Sequence, residues 1–136
     1  MTYKPFAILA LLVTAAACTI TTTRSKLPVF AGPTDSLRER LNMLVACEKF
    51  SVDGQEVTTN GKKKSTLEID VVNGKNVPDD DKTMQALARE IGSDVKEALK
   101  DMGEYDEYKV VFERVTVNGS LTNTQSRSVT FQSAKP

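Results

Sequence analysis

The spacing of apolar residues changes period several times along the chain. Phe6 to Val13 is a continuous apolar run, whereas Thr19 to Pro33 shows no period. Leu37, Leu41, Leu44 and Val45 recur at helical spacing, and Leu67, Ile69 and Val71 alternate with Glu68 and Asp70. Met84, Leu87, Ala88, Ile91, Val95, Ala98, Leu99 and Met102 form a second helical stripe, followed by the alternating Val110 and Phe112 set against Val111, Val115 and Val117. A stripe repeating about every 3.6 residues buries one side of a helix, and an alternation buries one side of a strand.

The boundaries carry their own signals. Ser36 followed by Glu39 is a capping-box pattern and predicts the start of the first helix, which ends near Ala46 or Cys47 because Glu48 falls on the apolar face. Phe50 to Thr59 reads as a strand, with Asp53-Gly54 predicting a bulge or turn. Asn60-Gly61 predicts a tight hairpin into a second strand carrying Leu67, Ile69 and Val71. Asn73-Gly74 leaves that strand, Asp79-Asp80-Asp81 opens the second helix by capping and by opposing its partial positive charge, and Gly103 stops it. Tyr108 to Val117 is a third strand. After Asn118-Gly119 the chain either pairs back directly, with Thr122, Thr124 and Ser126 opposite valines, or loops before a last strand over Ser128 to Ser133.

The element order is therefore α-β-β-α-β-β. It predicts an α+β two-layer sandwich with both helices on one face of a mainly antiparallel four-stranded sheet. A parallel central pair joined across the second helix stays open as the alternative connection.

The amino-terminal stretch differs in kind. Lys4 supplies positive charge, Phe6 to Val13 an apolar core, and Thr14-Ala15-Ala16-Ala17 small residues before Cys18. That order is the signature of a removable signal peptide, and the run is shorter than the roughly 20 residues of a membrane-spanning helix. Residues 1–18 resemble the signal of bacterial lipoproteins, with Ala16-Ala17-Cys18 matching and Ala15 standing where that family more often has leucine. The resemblance implies acylation of Cys18 as the new amino terminus. Thr19 in the next position implies the periplasmic face of the outer membrane. An ordinary cut after Ala-x-Ala, giving a soluble secreted chain, is the alternative. The organisation expected is signal peptide 1–17, lipidated tether 18–33 and a single domain 34–136.

Charge and composition narrow the chemistry. Without residues 1–17 there are 17 basic and 18 acidic side chains, so nothing points to a nucleic-acid partner. The chain has two cysteines and no histidine. Cys47, at the edge of an apolar stripe, reads as a small core residue rather than a nucleophile, because a thiolate needs a base or a positive neighbour. No Ser/His/Asp, Cys/His or zinc constellation is available, and the glycines are isolated rather than grouped into a phosphate loop. No catalytic residue, metal or cofactor is expected. Lys62-Lys63-Lys64 reads as a solvated hairpin tip that discourages edge pairing, with a grip on an anionic lipid or polymer as the alternative.

One surface pattern stands out. On the second helix Lys82, Arg89, Lys96 and Lys100 gather along one flank and Glu90, Asp94, Glu97 and Asp101 along the other, outside the apolar stripe. Such segregation suits a partner of opposite layout or anionic head groups. The expectation is a non-enzymatic envelope lipoprotein whose domain binds a protein or envelope component. A periplasmic carrier of a small apolar ligand between helices and sheet is the alternative, and a carboxylate-dependent hydrolase a third.

Overall fold

A computed structural model describes residues 18–133, so the signal-peptide reading of residues 1–17 lies outside the described residues. The fold is α+β, but the four-stranded, mainly antiparallel sheet is corrected to five strands in one mixed sheet. The elements run β1 (Thr21–Ser25), α1 (Asp35–Val45), β2 (Lys49–Thr59), β3 (Lys62–Val72), α2 (Asp81–Ala98), β4 (Glu107–Asn118) and β5 (Leu121–Gln132). Spatial order equals sequence order, β1-β2-β3-β4-β5.

The correction has two physical causes. Thr21–Ser25 carries no apolar alternation, yet its β-branched threonines fit a pleated edge, and it pairs antiparallel with the outer end of β2 from Thr21↔Thr59 to Ser25↔Gln55. The stretch read as a tether thus supplies a strand. In the centre β3 and β4 run parallel, Thr66↔Glu107 to Val72↔Glu113, because α2 carries the chain back between them, as a parallel pair requires. The other two neighbours, β2 with β3 and β4 with β5, are antiparallel hairpins.

The core lies between the helices and one sheet face. Leu37, Leu41 and Val45 of α1 and Met84, Ala88, Ile91 and Val95 of α2 are buried against Leu67, Ile69 and Val71 of β3, Tyr108, Val110 and Phe112 of β4, and Val129 of β5. The far sheet face carries Ser51, Asp53, Glu68, Asp70 and Lys109, as alternation demands.

Local departures from the sequence signals are instructive. Thr34, not Ser36, stands at the α1 N-cap and makes no side-chain cap bond; Ala46 closes the helix in the left-handed region at φ 44°. Asp53-Gly54 makes neither bulge nor turn, since β2 pairs with β3 without interruption. Asn60-Gly61 is a tight turn with both residues left-handed, at φ 49° and 79°. Asp80 caps α2, its carboxylate accepting from the Thr83 N–H at 2.8 Å. α2 ends at Ala98, five residues before Gly103, because Leu99 turns extended and bridges to Phe30. The final hairpin pairs directly, Val117↔Thr122 and Val115↔Thr124, so β5 begins at Leu121.

Candidate functional site

The two ends of the sheet differ. β3 starts at one end and finishes at the other, α2 returns, and β4 starts again near the first end. One end therefore holds the Asn60-Gly61 hairpin tip together with the start of β1. The opposite end holds the exit of β3, the start of α2 and the β4–β5 tip.

Cys18 is exposed. Two residues later the Ile20 N–H donates to Asn60 Oδ1 at 3.3 Å, and the Asn60 N–H donates to the Ile20 carbonyl at 3.1 Å. The chain leaving Cys18 is thus fixed to the β2–β3 tip. Farther along it is stitched down again. Lys26 N–H donates to Gly54 O, the Tyr105 hydroxyl donates to Lys26 O at 2.6 Å, Ala31 N–H donates to Ala98 O and Lys100 N–H donates to Val29 O. Burial pushes the Tyr105 hydroxyl up to about 12, with the Glu104 carboxylate adding to the shift, so it is a hydrogen-bond donor at neutral pH.

The basic flank is resolved residue by residue. Lys82 and Arg89 are exposed on α2, Lys96 is half-buried, and Lys100 is exposed just beyond the helix end. Arg89 lies over the Phe131 ring at 5.3 Å, which turns this flank toward β5. The acidic flank meets α1, where Arg40 approaches Asp94 at 3.7 Å and Glu97 at 3.9 Å. The acidic strip is thus partly engaged by α1, while the basic strip borders β5. Cys47 is half-buried and packs against the core, and burial pushes its thiol up, away from the reactive thiolate.

Sequence reasoning missed a crevice of about 210 Å³ at the end opposite Cys18. Asn73, Val77, Pro78, Phe112, Arg114 and Arg127 are among its lining. It lies beyond the carboxyl end of β3, beside the amino terminus of α2, a position where open sheets with parallel strands form clefts. Arg127 closes one side by donating to Asp81 Oδ1 at 2.8 Å and to Pro78 O at 3.2 Å. No sequence signal marks it, because its residues come from three separate segments. With Asn73, Asp79, Arg114 and Arg127 in its lining, it suits a small polar group or an inserted side chain. The apolar depression between α1 and β2, lined by Phe30, Leu37, Phe50 and Val52, holds only about 140 Å³. An adjoining depression lined by Leu41, Asn42, Cys47 and Phe50 holds about 270 Å³.

Among the described residues no group of three His, Cys, Asp or Glu is arranged to hold a metal ion, and no helix is long and apolar enough to cross a membrane. Comparison of the chain with protein-family models and with curated proteins finds no match. Among solved structures it is similar to a crystal structure described as the sex pheromone staph-cAM373 precursor, with a TM-score of 0.41 and 15% identity over 83% of this chain. The match spans 40% of that longer chain, and at this level of likeness nothing of its biology is carried over.

Proposed function

We propose that this chain is a non-enzymatic envelope lipoprotein. It is cut before Cys18, acylated there and held at the periplasmic face of the outer membrane. Its α+β domain binds an envelope protein or component through a basic flank, Lys82, Arg89 and Lys96 on α2 and Lys100 just beyond it. The observation that supports this reading most is the exposed Cys18 beside a fixed strand start at one extreme of the sheet. An acyl group on that thiol leaves the domain without crossing the core or the helix faces. The remaining surface stays free to meet a partner, and the flank turned toward β5 is the one not drawn against α1. Acylation with more than one chain gives lasting attachment, since each buried methylene contributes about 0.8 kcal/mol.

The test is intact-mass analysis of the full chain extracted from bacterial membranes, wild type against Cys18→Ala. A mature chain beginning at Cys18 with added acyl mass, lost in the variant, is expected. An unlipidated chain in the soluble fraction would remove the anchor. Cross-linking in intact cells with Lys82→Glu/Arg89→Glu/Lys100→Glu tests the flank: a wild-type set of cross-links from the folded variant removes its role.

A further inference from the structure

The chain between Cys18 and the first paired residue is too short to act as a slack tether. Thr21 already pairs with Thr59, the last residue of β2. Three extended residues span at most about 11 Å, so any group on Cys18 stays within that reach of the strand start. What lies there is a three-stranded tongue. β1, the outer half of β2 and the first residues of β3 run past Thr66, where β4 begins to pair.

The tongue ends in cations and one exposed apolar side chain. Lys62, Lys63 and Lys64 follow the left-handed Asn60-Gly61 turn, and Arg24 stands on the adjacent edge strand. Ile20 is 69% exposed beside them. Two carboxylates offset part of the charge: Glu56 lies 2.7 Å from Arg24 and 3.9 Å from Lys63, and Glu107 lies 2.7 Å from Lys64. The Lys64 hydrogen bond, against a smaller opposing effect of burial, holds the Glu107 carboxyl below the usual carboxylate range. Lys62 makes no ion pair among the described residues. Arg24, Lys63 and Lys64 are thus paired with Glu56 and Glu107, Asp106 is bonded to Ser65 at the base of the tongue, and Lys62 adds positive charge where the chain from Cys18 arrives.

We propose that this tongue is the membrane-docking face of the anchored domain. Lys62, Lys63 and Lys64 contact anionic phospholipid head groups of the bilayer that holds the acyl chains, and Ile20 seats at the acyl boundary. The inference rests on acylation of Cys18 and adds what the anchor alone does not give, a fixed orientation. Basic side chains feel an anionic leaflet only within a Debye length, about 8 Å at physiological salt, and the short link keeps the three tip lysines near that range. An acyl anchor and a basic patch then act together. The crevice and the β4–β5 tip, at the other end of the sheet, point away from the bilayer.

The experiment uses the full acylated protein, its acyl mass verified beforehand. It is placed in detergent, in phosphatidylcholine vesicles, and in phosphatidylcholine vesicles containing phosphatidylglycerol. Lysine acetylation is then followed peptide by peptide. On the anionic vesicles Lys62, Lys63 and Lys64 should react on the order of fivefold more slowly than in detergent, the factor matching one lysine's attraction to an anionic surface. Lys75 and Lys82, at the opposite end, should be unchanged. Acylated protein whose tip lysines stay fully reactive, or are protected equally on neutral vesicles, overturns the docking while leaving the anchor intact. Protein lacking acyl mass overturns both.

Discussion

Gly54→Ala tests how firmly the amino-terminal segment belongs to the fold. A Cβ at this position would lie 2.0 Å from the Lys26 carbonyl oxygen, 2.4 Å from Tyr105 Oη and 2.8 Å from Tyr105 Cε1. The tightest neighbour is backbone, so a rotamer change cannot relieve it. Lys26 would have to retreat by about 1 Å or more to reach ordinary contact. That movement strains the hydrogen bond from Lys26 N–H to Gly54 O and the one from the Tyr105 hydroxyl to Lys26 O, each worth about 1 kcal/mol. Overpacking adds about 1–3 kcal/mol if the segment stays in place.

An escape route caps the total. β1 is exposed along its whole length, so peeling it from β2 sacrifices little buried apolar surface. The cheaper outcome is a domain that keeps its core and releases the strand, at a loss of about 2–3 kcal/mol. Urea unfolding followed by far-UV circular dichroism reads the loss, and amide exchange at Thr22 and Arg24, whose N–H groups face β2, reads the release. Tyr105→Phe, which removes one of the two bonds without adding a methyl, should cost about 1 kcal/mol and leave β1 protected. A Gly54→Ala protein within about 0.5 kcal/mol of wild type, with β1 amides still protected, would refute this account of the close approach.

Two further perturbations address the central strands. Asn73, left-handed at φ 52°, accepts from the Val115 N–H at 2.7 Å and donates to Glu48 at 2.7 Å, so Asn73→Ala should cost about 3 kcal/mol and speed exchange of the Val115 amide. Unchanged exchange there would mean that the side chain does not extend the ladder. Asp70 has its carboxyl pushed up, first by burial and then by Glu68, against the lowering effect of the Ser51 hydroxyl. The folded state therefore binds that proton more tightly than the unfolded chain, and stability falls as pH rises from the ordinary carboxylate value of about 3.9 through the raised one. Asp70→Asn should raise the urea midpoint at neutral pH, with the gain closing below about pH 3, and a gain that is constant with pH would contradict the assignment.

The parts of the fold legible in the sequence are those whose signal is local. The α2 stripe, the Asp80 cap, the Asn60-Gly61 turn and the Leu67, Ile69, Val71 alternation each sit within a few residues of the physics that produces them. β1 was illegible because an edge strand packed on neither face needs no apolar alternation, and its pairing depends on β2 arriving from thirty residues away. Gly54 misled for a related reason. A glycine in a strand signals either a bend or a close approach, and only the distant Lys26 and Tyr105 decide between them. Helical spacing sets Lys82, Arg89 and Lys96 on one flank of α2, but Lys100 lies past the helix end, and the direction of the flank follows from Phe131 and Arg40 on other elements. The crevice left no trace in the sequence, as its walls converge only after β3, α2, β4 and β5 are assembled.

The parallel β3–β4 pair makes the two ends of the molecule unequal. Had the four predicted strands formed a simple antiparallel meander, successive turns would have alternated between ends and shared the surface loops evenly. Instead α2 carries the chain back the length of the sheet, so β3 and β4 leave by the same end. The β3 exit, the α2 start and the β4–β5 turn are gathered there, while the β2–β3 turn and the amino-terminal segment are gathered at the other. The end that holds the β2–β3 turn is tied by the two hydrogen bonds between Ile20 and Asn60 and by the Arg24–Glu56 ion pair. The opposite end is held by side chains, Asn73 reaching Val115 and Arg127 reaching Asp81, with a crevice between them. The gathering of the β3 exit, the α2 start and the β4–β5 turn at one end follows from that crossover, while the antiparallel pairing of β1 with β2 sets the amino-terminal segment at the other.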